Sequence, residues 1–327
     1  MQNTNTPNFS MSEKAIQSLH RHFDDASAFY FQEELTTKLP ETFLTAYADL
    51  NGPKLIPIKS TINPMSGDRF GEYDIMDMAG KPKWQGDRTT DKPFADAKIK
   101  RYKYQVYKRE LLFDFSSEDI AYASRGNRSL VDSKRLSTIQ SHAQDTNQLM
   151  FFGDYDKFLQ DDKFFGWLNH PLITKIEVAA ATTGKTWSVK TGLDMVRDLN
   201  TAIDTILTST NNTEVPDTIA LPLAQYRLLQ TTQVGNGLDT AMDFFMKTNP
   251  GINVEAANEL KGAYPTGNKD IFVCYKKRDM NFWFDTYNLQ FSEIFQQSID
   301  LFTVKAEVWH GGILLIRPKS QLITYGI

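Results

Sequence analysis

The fold is decided by residues 67–115, GDRFGEYDIMDMAGKPKWQGDRTTDKPFADAKIKRYKYQVYKRELLFDF. Residues 68–78 and 98–115 carry the alternating apolar and polar side chains of β-strands. Residues 79–97 between them are rich in Gly, Pro, Asp and Lys, which is typical of a polar turn region. The pattern predicts a long hairpin. Because an isolated two-stranded hairpin is only marginally stable, we expect this one to lie on another surface, most simply on a second subunit.

Helical patterns follow the hairpin. Residues 130–151 predict a long helix with one apolar face that ends at Gly153, so this helix should lie across a surface. Residues 191–208 predict another helix, whose Thr191 and Asp194 resemble a capping box. The positions expected to be buried are Leu136, Ile139, Ala143 and Met150 in the first helix, and Leu193, Val196, Leu199, Ile203 and Ile206 in the second.

The rest of the chain mixes both kinds of element. Further helices are predicted to open at Pro222 and to span residues 238–247. Residues 271–275 and 281–284 are predicted to pair as a hairpin around a charged turn. Helices and strands follow each other without regular alternation, which indicates an α+β fold. The remaining predicted strands are residues 218–221, 302–309, 313–316 and 321–325.

The composition excludes several classes of protein. The 327 residues carry a net charge of −4, whereas a dedicated nucleic-acid binder usually has a basic excess. A single cysteine, Cys274, excludes a disulfide framework within one chain, and its apolar neighbours predict a buried, unreactive thiol. The N-terminus has no signal-peptide pattern, and no stretch reaches the ~18 apolar residues of a membrane span. We therefore expect cytoplasmic synthesis and no membrane partner.

One motif suggests nucleotide chemistry. Residues 179–186, AAATTGKT, match a relaxed phosphate-binding loop. Such a loop needs a helix that begins at its lysine, so that backbone amides face the phosphates. Here the helical pattern begins only after Thr191. The sequence favours a surface loop, and a phosphate-loop nucleotide hydrolase stays as an alternative of another class.

The histidines do not form a convincing catalytic or metal site. His20 and His22 are two residues apart on a predicted helix, so they point in different directions. His170 and His310 fall at predicted turns. We expect no catalytic residue, no metal and no cofactor.

Exposed aromatic residues are better candidates for function. Trp84 lies among Gly, Pro and Lys in the hairpin tip, where it either packs on the tip itself or contacts another subunit. An aromatic stripe on a predicted N-terminal helix is a second candidate, and two basic residues open the long helix, where they could touch DNA phosphate. The candidate interface residues are Lys81, Trp84, Arg88, Phe94, Phe23 and Tyr30, and the candidate DNA contacts are Lys134 and Arg135.

Several short stretches, taken in order, carry a family resemblance. They are Gln32-Glu33-Glu34-Leu35, Leu55-Ile56-Pro57-Ile58, Tyr73-Asp74, Asp91-Lys92-Pro93, Gly126, Leu130, Lys134, Gly153-Asp154, Gly166-Trp167-Leu168-Asn169-His170-Pro171, Pro216-Asp217-Thr218, Leu221-Pro222, Gly311-Gly312, Arg317-Pro318 and Gly326-Ile327. With the order of the predicted elements, they resemble the major capsid proteins of tailed bacteriophages, which have the Hong-Kong-97-type capsid fold. The resemblance covers residues 20–327. The basic tip Lys81-Pro82-Lys83-Trp84 departs from it.

The resemblance implies an α+β, Hong-Kong-97-like major capsid fold. Its parts would be an N-terminal arm (1–66), an extended loop (67–100), a peripheral domain with a spine helix (101–190), an axial domain (191–290) and closing peripheral strands (291–327). The implied function is self-assembly into pentamers and hexamers of an icosahedral shell around double-stranded DNA, in the virion. The implied partners are further copies of the chain, a portal, other head proteins and a separate scaffolding protein. An encapsulin-like nanocompartment shell is the alternative within the same fold.

Overall fold

The structure, a computed structural model, describes residues 48–61, 67, 69–84, 94–125, 130–154, 164–181, 184–235 and 237–327, with the side chains of residues 122–125 excepted. The chain divides into two compact units, Met1–Asp49 and Leu50–Ile327. All described helices and strands belong to the second unit.

The described elements alternate irregularly between helix and strand. The helices are α1 (Gly52–Leu55), α2 (Ser117–Arg125), α3 (Leu130–Phe152), α4 (Gly192–Thr210), α5 (Leu223–Thr231) and α6 (Ala241–Thr248). The strands are β1 (Ile58–Lys59), β2 (Phe70–Ala79), β3 (Asp96–Gln105), β4 (Tyr107–Ser116), β5 (Gly153–Asp154), β6 (Phe164–Phe165), β7 (Thr174–Glu177), β8 (Thr218–Leu221), β9 (Asn253–Ala256), β10 (Ile271–Tyr275), β11 (Phe282–Thr286), β12 (Gln290–Phe291), β13 (Phe295–Ser298), β14 (Leu301–Leu315) and β15 (Gln321–Tyr325).

The predicted long hairpin is present. β2 and β3 pair antiparallel along all ten residues of each strand. The single strand predicted over residues 98–115 is wrong in one respect, because β3 and β4 are separate strands with the buried Val106 between them. The Val106 amide donates a hydrogen bond of 2.9 Å to the carbonyl of Arg69. This bond closes the base of the hairpin, so the chain passes from the hairpin to the main body at a single residue.

A six-stranded sheet receives the chain after Val106. Its central strand, β14, pairs antiparallel with β4, β11, β12 and β13, and β1 pairs parallel with β11 at the edge. The prediction of a turn at His310 is wrong, since β14 runs through this residue and buries it. A β-bulge opposite Asp285 and the positive φ of Gly312 (86°) let the strand continue where the sequence predicted a break.

A five-stranded sheet has the order β7-β15-β10-β8-β9. The predicted pairing of residues 271–275 with 281–284 is wrong, because β10 lies in this sheet and β11 in the other. All five residues of β10 are buried because a core cluster covers each face of the sheet, and β8 and β15 pair with the strand on its two edges. The charged turn between β10 and β11 therefore crosses from one sheet to the other.

The closing segment, residues 291–327, divides between the sheets. β12, β13 and β14 belong to the six-stranded sheet, whereas β15 joins the five-stranded one. The reason is apolar packing: Leu322 and Ile327 are buried in the same cluster as Leu199 of α4.

The core has two clusters of buried side chains. The first lies around Trp167, whose ring stacks on Phe282 with centroids 5.8 Å apart and whose Nε1 donates to Gln321 at 2.7 Å. The second lies around α4 and includes Trp187 and Phe272. Each cluster is built on one side from strands of the five-stranded sheet, so this sheet joins the two.

The long helix α3 has the predicted length, but only part of its predicted face is buried: Met150 is buried as predicted, and Ala143 is half-buried. The helix ends before Gly153, which has a positive φ of 67°. Leu136 and Ile139 were expected to be buried, and both are exposed. Thr138 and His142 are buried instead, because α3 turns polar side chains towards the sheet.

Helix α4 begins as its sequence predicts. The Thr191 hydroxyl caps the helix by accepting a hydrogen bond from the Asp194 amide. Four of the five predicted apolar positions are buried, and Leu193, the fifth, is 46% exposed because it lies in the first turn beyond the sheet contact. Leu199 is fully buried.

This difference gives a matched pair of substitutions in one helix. We expect Leu199→Ala to lower the free energy of unfolding by ~2–5 kcal/mol, since it removes buried methyl groups and leaves a cavity. Leu193→Ala should change it by less than ~1 kcal/mol, as for other exposed positions. Chemical denaturation of the two variants measures the difference, and equal effects would contradict the assigned orientation of α4.

Candidate assembly interface

The two faces of the hairpin differ along its length. Successive side chains of a strand point to opposite faces, and directly paired residues share a face. Near the body, one face carries cross-strand ion pairs, with Lys103 at 2.7 Å from Glu72 and Arg101 at 2.9 Å from Asp74. These pairs are exposed, so they contribute little stability but keep this part of the face in water.

The outer half of the same face is apolar. Met76 lies opposite Ile99, and Met78 follows on the same face, opposite Ala97. Beyond the strands, Trp84 and Phe94 are almost wholly in contact with solvent. We call Met76, Met78, Ile99, Trp84 and Phe94 the distal apolar residues. Large apolar side chains left together in water mark a contact surface, so these residues point to a partner that covers them.

The opposite face meets the body through aromatic rings. Tyr73 stacks on Tyr102 with ring centroids 5.3 Å apart and approaches the edge of Trp283 at 6.5 Å. A cleft of about 510 Å³ opens beside these rings, and Tyr107 and Phe164 line its other side. Aromatic contacts therefore hold the inner half of the hairpin, while its outer half projects away from the described body.

The segment Asn51–Thr61 runs along the body beside the hairpin. The Tyr275 hydroxyl donates to the carbonyl of Leu55 at 2.9 Å, and the Phe284 amide donates to that of Pro57 at 2.8 Å. We call Asn51–Thr61 the root segment, since it joins residues 1–50 to the main body. At its start, the Glu259 carboxylate accepts a 2.8 Å bond from the Asn51 amide group.

The phosphate-loop motif does not have the geometry that its chemistry requires. Lys185 is followed by turns, and α4 begins only at Gly192. The Lys185 ammonium lies 3.4 Å from the Glu177 carboxylate. Within the described residues of this region, no helix begins at the lysine, as the sequence favours.

A family model described as major capsid protein matches residues 80–327. The chain belongs to the major capsid protein family. Its function is accordingly that of a structural protein that builds a capsid shell, and the family places it in the virion. The resemblance found in the sequence is confirmed, and the match favours the capsid over the nucleotide hydrolase and the encapsulin-like shell.

Solved structures agree on the fold of this capsid protein. The capsid of Myoviridae phage XM1 is 14% identical and aligns with a TM-score of 0.74 over 90% of this chain and 98% of that one. The capsid structure of cyanophage P-SCSP1u is also 14% identical, with a TM-score of 0.57 over 90% and 94% of the two chains. No curated protein sequence matches the chain significantly.

The structure describes some of the residues that were predicted to form subunit interfaces in the capsid protein. Lys81, Trp84 and Phe94 are exposed at the end of the hairpin. Their role in subunit contacts stays a prediction. Met76, Met78 and Ile99 were not among the predicted residues, although the alternation of apolar and charged residues in both strands could have revealed them as a shared apolar face. The candidates Arg88, Phe23 and Tyr30 lie outside the described residues.

The two predicted DNA contacts are engaged within the capsid protein itself. The Lys134 ammonium donates to the carbonyl of Asp114, and the Arg135 guanidinium lies 4.7 Å from the centre of the Phe291 ring. Both contacts hold the first turns of α3 against the six-stranded sheet. Arg135 is exposed and Lys134 is half-buried, and a DNA contact stays a prediction for both residues.

A polar cluster joins α3 of the capsid protein to the sheet. Arg109 pairs with Asp145 at 2.8 Å and also with Asp154. Burial lowers the pKa of His310 to about 3, with the positive charge of Arg109 and the neighbouring His142 adding to the effect. Burial likewise lowers the pKa of His142 and raises the pKa of Asp145. The cluster keeps two imidazoles neutral between a helix and a sheet.

Two further expectations, that the protein has no metal site and no membrane span, can be considered only for the described residues. Among the described residues, no group of three or more His, Cys, Asp or Glu side chains is arranged to hold a metal ion. None of the helices α1 to α6 of the described chain is long and apolar enough to cross a bilayer. Cys274 is buried as predicted, and burial raises the pKa of its thiol well above the usual range, which keeps it unreactive.

The buried His310 gives the protein a pH-dependent stability. Its pKa is about 3 when folded and 6.5 in the reference state, so unfolding takes up a proton between these values. Stability due to His310 is therefore complete above pH ~6.5 and falls by up to ~1.4 kcal/mol per pH unit below it. We expect His310→Gln to flatten the loss of stability between pH ~6 and ~4, measured by denaturant unfolding at several pH values.

Thr286→Val is the matched control, because Thr286 Oγ1 lies 3.0 Å from His310 Nδ1. This substitution removes the hydrogen bond and keeps the imidazole, so it should lower stability without flattening the pH dependence. An unchanged slope in His310→Gln would show that other groups cause the dependence.

Proposed function

We propose that the protein forms the icosahedral head shell of a tailed phage by laying its β2–β3 hairpin over a neighbouring subunit. The observation that carries the proposal is the set of distal apolar residues, which the described part of the chain leaves in water. The capsid folds of phage XM1 and cyanophage P-SCSP1u support the assignment to a tailed-phage head.

The energetics favour assembly through many small contacts. Full burial of one large apolar side chain is worth ~1.5–3 kcal/mol, so the distal apolar residues together supply several kcal/mol gross. Much of this gain is offset by the ordering of the hairpin and by the lost freedom of the subunits. A closed ring then multiplies each weak contact, because closing it is an intramolecular step with a high effective concentration.

The two sheets would occupy different regions of the shell. We assign the six-stranded sheet with α3 to the peripheral region, and the five-stranded sheet with α4, α5 and α6 to the region that faces the axes of pentamers and hexamers. One subunit fits both rings when the N-terminal segment and the outer half of the hairpin, beyond its fixed base, bend and the two cores stay rigid. Synthesis in a bacterial host cytoplasm belongs to the same proposal.

The shell encloses double-stranded DNA under this proposal and performs no catalysis. The net charge of −4 suits a container that holds DNA without binding its backbone tightly. Residues such as Arg135 would make only weak phosphate contacts. A portal, other head proteins and a separate scaffolding protein would complete the set of partners.

Deletion of the hairpin tip tests the proposal. Removing residues 79–94 leaves Ala95 and Asp96 as a two-residue connection between the paired Met78 and Ala97, so the shortened hairpin can still close. We expect a folded, soluble subunit with a normal circular dichroism spectrum that forms no shells in negative-stain microscopy. Normal particles from this variant would sink the proposal.

A pair of methionines gives a finer test. Met78 and Met280 are both exposed, but Met280 lies in the turn between β10 and β11. We expect Met78→Glu to reduce shell yield at least ~10-fold, because it places a charge in a surface that assembly must bury. Met280→Glu should leave the yield within about twofold, as for other exposed sites outside an interface. Equal losses, measured by sedimentation, would contradict a special role of the hairpin.

A further inference from the structure

One buried carboxylate lies where the hairpin, the root segment and the six-stranded sheet meet. Asp285 is 3% exposed and lies on β11 opposite a bulge of β14: Asp285 pairs with Gly312 and the next residue pairs with His310, so Gly311 is left unpaired. The bulge places Gly311, which has no side chain, beside this carboxylate. A buried carboxylate is costly unless hydrogen bonds satisfy its oxygens, so its partners define its role.

Each oxygen of Asp285 is taken by a different element. Oδ1 accepts a 2.9 Å hydrogen bond from the Thr61 amide, in the root segment. Oδ2 accepts a 3.0 Å bond from the Tyr104 hydroxyl, near the end of β3. Asp285 therefore bridges two segments that are far apart in sequence.

Two glycines fix the position of the Tyr104 ring. A Cβ atom at Gly71 would lie 2.2 Å from the ring, and one at Gly311 would lie 2.7 Å from both the ring and Asp285 Oδ2. No side chain other than that of glycine fits at either position without moving the ring. The phenol is thus held between β2 and β14 and has little freedom to find another acceptor.

The protonation of Tyr104 agrees with its role as a donor. Burial raises the pKa of this phenol well above its usual value, and the charge and hydrogen bond of Asp285 raise it further. The hydroxyl therefore keeps its proton and donates to the carboxylate. A donor to a charged acceptor makes one of the stronger hydrogen bonds in a protein.

We propose that Asp285 is a positioning residue that fixes the angle at which the hairpin leaves the body and couples this angle to the root segment. The two segments that the proposed function assigns to contacts between subunits would then move together. The use of this coupling in assembly rests on that proposed function, but the two hydrogen bonds to Asp285 belong to the single subunit.

Hydrogen exchange of the full-length, unassembled chain tests the coupling. The probes are the Thr61 amide and the Val106 amide, which closes the hairpin base. We expect Asp285→Asn to speed exchange at both by at least ~10-fold, the factor that corresponds to a loss of ~1.4 kcal/mol. Tyr104→Phe keeps the ring and the carboxylate, so faster exchange at Thr61 in this variant would report coupling directly. If Asp285→Asn fails to fold, Tyr104→Phe still tests the coupling.

Asp279→Asn is the matched control. Asp279 pairs with Lys59 of the root segment at 3.0 Å and is exposed. This substitution should leave the Val106 amide unchanged. An unchanged Thr61 amide in Tyr104→Phe, or an unchanged Val106 amide in Asp285→Asn, would show that the contacts are independent and would overturn the proposal.

The yield of assembled shells distinguishes a failure of this proposal from a failure of the proposed function. We expect Asp285→Asn to assemble with at least ~10-fold lower yield, the factor for one lost charged hydrogen bond per hairpin. Fast exchange together with normal shells would overturn the positioning role, even if the hairpin deletion abolishes assembly. Normal shells from the hairpin deletion would defeat the proposed function alone, because the exchange result does not depend on assembly.

Discussion

The position of the hairpin depends on the single residue, Val106, at which the chain passes from β3 of the hairpin to β4 of the six-stranded sheet. Val106 is buried, and its amide is bonded to the carbonyl of Arg69, so β3 and β4 have no flexible linker between them. Because β4 pairs with β14 over ten residues, the direction of the hairpin is tied to the longest strand of the protein. The distal apolar residues consequently lie on a hairpin whose base is fixed to the core, and the described part of the chain leaves them exposed.

Much of the local structure could be predicted from the sequence, because local patterns determine it. The alternation of apolar and polar residues predicted the hairpin, and the capping pattern at Thr191 predicted the start of α4. What failed was pairing between distant segments: β10 and β11 are neighbours in sequence but lie in different sheets. Asp285 was missed for the same reason, since its partners are 181 and 224 residues away and its own neighbours show no motif. Exposed residues such as Trp84 were easier to find, because a large apolar residue in a polar stretch is conspicuous.

Polar contacts determine how the middle of α3 sits on the sheet, whereas Leu149, Met150 and Phe151 anchor the end of the helix in the core. The apolar pattern of the helix predicted that Leu136 and Ile139 face inwards, yet the helix turns His142 and Asp145 towards the sheet and Arg109. Buried polar groups need specific partners, so they define a single orientation where an apolar face would accept several. The same choice makes stability depend on pH and leaves apolar side chains of α3 in solvent.

The fifteen residues of β14 also have a mechanical consequence. Hydrogen bonds between antiparallel strands run across the strand direction, so a pull along β14 loads the bonds to β4 and β11 in shear, all at once. The short helical turn Pro318–Ser320 then passes the tension to β15 in the other sheet. A subunit whose main sheet is built around one long strand in this way resists stretching along that strand.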